Sequence, residues 1–315
     1  MKAVRSKRKN RFKILWVIVL TMVIGIFTWW AFRVLNQSIW DGEHQINIVI
    51  EGQPVVLVSF DRERETPLNI LTLPPETFIE LTHGYGFYRL ESVNNLAVYE
   101  GRIGGQLLAE SLSEYLGIPL EAYISGLNIQ LEHNKNSTDF ILRIIWNLLR
   151  GHGQTNLSKW DLVRLWWRIR LMRLDKSALV NLCEGNICYK EVLIDGSEVL
   201  KIDLEKADKI TDDCFKDNLI RQEDLTISVL NQTSSPGLAS SAARMITKIG
   251  GRVIQIGEEK DTGVKCLLRV DKRLSKSYTL RRLNKIFGCQ LQIGNTNEQR
   301  ADIVLIVSQY NNVVE

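Results

Sequence analysis

An uninterrupted apolar run, Ile14–Phe32, behind a wholly basic head constrains this chain more than any other feature. The run reads ILWVIVLTMVIGIFTWWAF and is closed by Arg33. As a helix rising ~1.5 Å per residue it reaches roughly 28 Å, against about 30 Å for the hydrocarbon core of a bilayer. The head, residues 1–13, carries Lys2, Arg5, Lys7, Arg8, Lys9, Arg11 and Lys13 and no acidic residue. Trp29 and Trp30 stand where an interfacial aromatic belt lies, and basic residues stay on the cytoplasmic side. The pattern predicts a single-pass plasma-membrane protein with a cytoplasmic head, a span over 14–33 and its bulk outside the cytoplasm. A cleaved signal peptide has an apolar region of only about 7–15 residues and a small-residue cleavage site. Trp-Trp-Ala-Phe-Arg-Val matches that site poorly.

The net charge of +4 is smaller than the seven positive charges of the head, so the exported part is close to neutral or slightly acidic. Nucleic-acid binding needs a basic patch on the folded domain, and none is expected here. The five cysteines are Cys183, Cys188, Cys214, Cys266 and Cys289. Export permits disulfides, the odd count leaves at least one thiol unpaired, and buried thiols remain the alternative. A zinc site lacks both a Cys-x-x-Cys pair and a nearby histidine. His44, His83, His133 and His152 are scattered and form no metal or catalytic spacing. Gly84-Tyr-Gly86 and Gly101–Gly105 lack a Walker lysine and a dinucleotide fingerprint, so they read as turns.

The fold class expected is α/β (α+β). Alternating apolar residues predict strands at Ile46–Ile50, Val55–Phe60 and Leu68–Leu73, with turns at Gly52-Gln53-Pro54 and Pro74-Pro75. Helical patterns cover Gln106–Leu116, Thr138–Leu149 and Ser158–Leu171. The last opens with Ser158 and Asp161 at capping-box spacing. Its Arg164, Arg168 and Arg170 read as a solvated face, with anionic phosphate or membrane headgroups as the sharper alternatives. Strands or a hairpin follow over Val180–Lys201. Residues 203–223, rich in Asp, Glu and Lys, read as a linker between a domain over 46–202 and a second over 224–315. The second reads βαββα plus one or two strands, a small, mostly antiparallel sheet with two helices on one face.

Within that second unit, Ile227-Ser-Val-Leu-Asn231, Gly237-Leu-Ala239, Ala242-Ala243, Gly250-Gly251 and Ala301-Asp-Ile-Val-Leu-Ile-Val307 resemble the C-terminal domain of LytR-CpsA-Psr proteins. Asn231 and Gly237 are the motif residues, and Gln232 stands where the family usually has Gly. Upstream, Val55–Asp61, Asn69-Ile-Leu-Thr-Leu-Pro74, Ser92-Val-Asn94, Gly104-Gly105 and Leu116-Gly-Ile-Pro-Leu-Glu-Ala-Tyr123 resemble the family's catalytic domain in worn form. The resemblance implies a mixed-sheet domain that binds a polyprenyl-pyrophosphate lipid and moves its glycopolymer onto peptidoglycan. Family members hold the pyrophosphate with arginines and use Asp with a divalent cation, because guanidinium forks fit phosphate and carboxylates fit Mg²⁺.

The departures matter most. The family's Ser-Ile-Pro-Arg-Asp-Thr motif reads Thr72-Leu-Pro-Pro-Glu-Thr77 here, so Pro75 replaces its Arg and Glu76 its Asp. The upstream Arg-x-Asp-Thr place reads Glu51-Gly-Gln-Pro54. We therefore expect a non-catalytic, membrane-anchored envelope protein that binds wall glycan or an envelope partner, with no catalytic residue, no metal and no cofactor. Glu76, Arg89, Arg102, Arg168 and Arg170 are the ligand-binding candidates. The alternative is a divergent transferase in which Arg62, Arg64, Arg89, Arg102, Arg168 and Arg170 converge, with Asp61, Glu63 and Glu76 on Mg²⁺. A third reading is an interaction platform built on an exposed apolar patch around Trp160, Trp166 and Trp167.

Overall fold

The computed structural model describes residues 16–22, 25, 28, 38–127, 137–172, 177–233, 236–260, 263–294, 296 and 300–308. Most of the expected span lies outside them. Residues 16–22 form a helix, α1, and its apolar side chains are exposed: Trp16 63%, Val17 60%, Leu20 59%. Among the described residues no helix is long and apolar enough to cross a membrane.

The first domain is built on strands β1 (Ile46–Ile50), β2 (Val55–Phe60), β3 (Leu68–Leu73), β6 (Ala122–Ser125), β7 (Gln154–Thr155) and β8 (Ser177–Asn181). They form one mixed sheet in the order β7-β6-β1-β2-β3-β8. β1–β2 and β2–β3 are antiparallel hairpins, whereas β1 pairs parallel with β6 and β3 with β8. Parallel neighbours need helical crossovers, and those crossovers cover both faces of the sheet. Successive side chains go to opposite faces, with the period of two of a strand. Val49, Val55, Leu57, Leu71 and Leu73 pack under α2 (Val93–Tyr99), α3 (Gly104–Leu116) and the hairpin of β4 (Phe78–Leu81) with β5 (Gly86–Arg89). Ile46, Ile48, Ile50, Val56, Val58 and Ile70 pack on the other face under α4 (Ser137–Leu149) and α5 (Lys159–Arg170). β1, β2 and β3 are buried at every position because both faces are covered. A two-stranded sheet of β9 (Cys188–Val192) and β10 (Glu198–Ile202) follows β8.

Residues 203–223 differ from the expected linker. They hold two helices, α6 (Leu204–Thr211) and α7 (Asn218–Glu223), capped by Asp203 and Asp217. Between them Phe215 is fully buried in the first domain's core. Several of the charges that read as solvated belong to caps and ion pairs. Asp208, for one, takes Nε and Nη2 of Arg244 at 3.1 and 2.9 Å and Lys248 at 3.1 Å.

The second domain has strands β11 (Thr226–Asn231), β12 (Arg252–Glu258), β13 (Cys266–Val270), β14 (Gln290–Ile293) and β15 (Ile303–Val307) in the order β12-β11-β15-β13-β14. Helices α8 (Leu238–Lys248) and α9 (Tyr278–Phe287) share the core of one face. The expected mostly antiparallel sheet is corrected. β11–β12, β11–β15 and β13–β14 are parallel, and β13–β15 alone is antiparallel. α8 and α9 each connect a strand to its parallel neighbour, a crossover that an antiparallel hairpin does not need. Disulfides join Cys183 to Cys188 and Cys266 to Cys289, and Cys214 remains a half-buried free thiol.

Candidate functional site

The parallel pairing of β1 with β6 brings both C-terminal ends to one edge of the sheet. There the chain opens a cleft of about 250 Å³ lined by Glu51, Gly52, Gln53, Val55, Leu90, Glu91, Asn94, Gly126 and Leu127. The lining comes from three short segments. The β1–β2 turn, with a cis Gln53–Pro54 bond, supplies residues 51–53, and the start of β2 supplies Val55. The turn ahead of α2 and its first helical residues supply Leu90, Glu91 and Asn94. The loop after β6 supplies Gly126 and Leu127. The Glu51 N–H donates to the Ile124 carbonyl at 2.8 Å, and the Gly126 N–H donates to the Glu51 carboxylate at 3.3 Å. Burial raises the Glu51 carboxyl above its ordinary pKa, and the Gly126 hydrogen bond offsets part of that.

Gly104-Gly105 packs behind Asn94, a lining residue of this cleft. A Cβ on Gly104 would stand 1.8 Å from Oδ1 of Asn94 and 3.1 Å from its Cα. A Cβ on Gly105 would stand 2.3 Å from the Tyr123 ring. The glycines thus let the α3 N-terminus close onto α2 and β6, which fixes Asn94 at the cleft.

The segment Thr72–Thr77 runs past the same edge. Thr77 N–H closes a turn on the Pro74 carbonyl at 3.1 Å, and Glu91 N–H donates to the Pro75 carbonyl at 3.0 Å. Pro75 therefore sits beside a lining residue but brings neither charge nor donor. Among the described residues no side chain lining the cleft is cationic, and two, Glu51 and Glu91, are carboxylates. Carboxylates and the amide oxygens of Gln53 and Asn94 are hard donors of the type Mg²⁺ takes. However, the described residues contain no cluster of three or more His, Cys, Asp and Glu groups placed for a metal. With no guanidinium to share the load, this donor set does not fit a Mg²⁺–pyrophosphate pair.

The residues singled out from sequence lie elsewhere. Glu76 is exposed on the turn after β3. Arg89 is exposed on β5 and donates to the Glu198 carbonyl at 3.3 Å. Arg102 precedes α3 and lies 3.7 Å from Glu110, which also takes His83 at 2.8 Å. Arg168 and Arg170 are on α5, with the Arg170 guanidinium 5.4 Å from the Trp166 ring. Arg62 is exposed, and Arg64 is half-buried at the domain junction, where its Nη1 donates to the Cys214 carbonyl at 2.7 Å. None of these arginines lines the cleft. Glu51 and Asn94, which do, were legible as motif positions; Glu91 carried no sequence signal.

In the second domain Asn231 forms the expected turn, its Oδ1 accepting from the Thr233 N–H at 3.0 Å and hydroxyl at 2.8 Å. Gly237 opens α8 at φ 93°, a left-handed conformation that glycine adopts without strain. Gln232, at the usual Gly position, donates its side-chain amide to the Val264 carbonyl.

The junction between the domains is polar and buried. Arg282 of α9 pairs with Glu121 and lies 3.8 Å from Asp217. Burial opposes the Arg282 charge, but Glu121, Tyr278 and Asp217 hold its pKa above the ordinary arginine range. Tyr278 donates its hydroxyl to Asp217, stacks on His44 at 4.6 Å, and has its own pKa raised by burial.

No protein-family model matches the chain, and no curated protein matches it in sequence. Solved structures similar to it include three bacterial proteins. The transcriptional regulator yvhJ from Bacillus subtilis is 14% identical, with 54% of this chain and 97% of that one covered, at a TM-score of 0.37. The transcriptional regulator EF0465 from Enterococcus faecalis is 9% identical, with 66% and 89% covered, at 0.40. TagU from B. subtilis is 9% identical, with 55% and 96% covered, at 0.39.

Proposed function

We propose that this chain is a membrane-anchored, extracytoplasmic cell-envelope protein with a LytR-CpsA-Psr-like domain that binds wall glycan without transferring a glycopolymer. One observation carries the proposal. The cleft at the shared end of β1 and β6 presents Glu51 and Glu91 and, among the described residues, no cation, and Glu51 stands at the position that resembles the family's arginine. Two carboxylates repel a pyrophosphate, whereas carboxylate and amide acceptors suit the hydroxyl and amide groups of a neutral sugar. The apolar, uncovered side chains of α1 support the anchor, because an apolar helix with no protein against it lowers its free energy by entering lipid. The bulk then lies outside the cytoplasm, with the basic head inside.

Co-sedimentation of the full-length, detergent-solubilised protein with purified peptidoglycan sacculi tests the binding half of this reading. Pelleting that survives high salt is expected, because the contacts invoked are hydrogen bonds to uncharged groups. A protein that stays in the supernatant at every salt concentration sinks the glycan reading.

A further inference from the structure

The outer face of α4 and α5 has a composition that neither a core nor a solvated surface explains. Trp146 is 47% exposed, Trp160 40%, Trp167 59% and Leu171 68%. The Trp146, Trp166 and Trp167 rings form a continuous tier, each 6.5 Å from the next between centroids. Arginines lie against the indoles. Arg150 is 5.1 Å from the Trp146 ring, Arg164 5.1 Å from Trp160 and Arg170 5.4 Å from Trp166. The two helices carry Arg143, Lys159, Arg164, Arg168 and Arg170, with Arg150 directly after α4, against two acids, Asp139 and Asp161. Asp161 is 1% exposed, so Asp139 is the only acid this pair of helices leaves for its outer surface.

The same face is tethered where the chain enters the domain. Asp161, at the N-terminus of α5, accepts from the Ser38 hydroxyl and, at 3.1 Å, from the Ile39 N–H. Arg164 Nη1 donates to the Trp40 carbonyl at 3.0 Å. The apolar run ends at Phe32, so residues 33–37 separate it from this attachment. Five residues reach at most about 18 Å when fully extended. The N-terminus of α5 is therefore held within about two helix diameters of the bilayer surface.

We infer that the Trp- and Arg-bearing face of α4 and α5 rests in the outer headgroup layer of an anionic bilayer, orienting the ectodomain on the membrane that anchors it. Indoles favour the interface because one edge is polar and the body apolar. Guanidinium groups pair with lipid phosphates in the bidentate geometry they use for any phosphate. Anionic lipid then adds an attraction that salt screens. The inference rests on the membrane anchor of the preceding reading, and its test separates the two.

Full-length protein carrying Cys214→Ser is spin-labelled at one introduced cysteine, Leu171→Cys, Val19→Cys or Ile194→Cys, and reconstituted into phosphatidylcholine vesicles with or without phosphatidylglycerol. Collision with oxygen, relative to a water-soluble nickel complex, reports depth. The label at 171 is expected to show a several-fold higher oxygen preference than that at 194 in anionic vesicles, reduced by salt. Arg150→Glu with Arg168→Glu and Arg170→Glu is expected to withdraw the 171 label into water while the 19 label stays buried. A water-exposed label at 171 with a buried label at 19 overturns the docked face and leaves the anchor standing. That is also the result a protein-binding face would give in pure lipid. A water-exposed label at 19 overturns the anchor, and a water-exposed 171 in the same vesicles removes both. Equal depth at 171 in uncharged vesicles overturns the role assigned to lipid charge.

Discussion

Glu51 shows how one residue sets the chemistry of a cleft. Its side chain lines the opening at the end of β1 and meets the Gly126 N–H there at 3.3 Å. Burial raises its pKa, so the folded protein holds the Glu51 proton more tightly than the unfolded chain. Stability is therefore lost as pH rises from the ordinary glutamate value through the raised one, because the folded state must give up a proton it binds preferentially. Glu51→Gln removes that cost. The variant is expected to melt slightly above the native protein near neutral pH, by a fraction of a kcal/mol after solvent screening. The gain should vanish as pH falls below 4.5. Melting curves across that range check it, and an equal gain at every pH would argue that the carboxyl is not perturbed. Pro75 was legible from sequence as a residue with neither charge nor donor. Glu91 was not, because an exposed glutamate in a short turn looks like any solvated charge until the Glu91–Pro75 hydrogen bond brings it to the edge.

At the level of elements, boundaries were read well where capping chemistry is explicit. Ser158 and Asp161 form the expected reciprocal box at the start of α5, and Gly117 and Gly288 end α3 and α9 in the left-handed conformation. Strand direction was not legible in the second domain, since the period of two is the same for parallel and antiparallel neighbours. The connector over 203–223 was misread for a related reason. Capping aspartates and paired lysines have the composition of a solvated linker, and the packing of Phe215 is a long-range fact. Asp161 illustrates the value of a cap used twice. It accepts from the Ser158 N–H at 3.0 Å and also holds Ser38 and Ile39. Asp161→Ala loses a cap worth about 1 kcal/mol and leaves buried donors without their acceptor, for about 2 kcal/mol or more in total. Urea denaturation should show this as a lower midpoint at unchanged slope. A loss below about 0.5 kcal/mol would place residues 38–40 away from α5.

Taken whole, the molecule is a covered mixed sheet whose strand β1 starts at the domain junction and ends at the acidic cleft. The junction is held by polar contacts. Asn47 N–H donates to Glu121 at 2.8 Å, Gln45 donates to the Phe215 carbonyl at 3.0 Å, and Arg282 pairs with Glu121 across the boundary. Sequence could not place the arginines, because convergence depends on which sheet edge each element reaches. Arg64 went to the junction and Arg168 and Arg170 to the outer face of α5, leaving the cleft acidic. We propose that this acidic cleft does not hold pyrophosphate. The most direct measurement is calorimetric titration of the full-length protein in nanodiscs with a polyprenyl pyrophosphate, with and without Mg²⁺. No saturable heat is expected in either condition. Saturable, Mg²⁺-dependent binding would contradict this and favour the transferase reading.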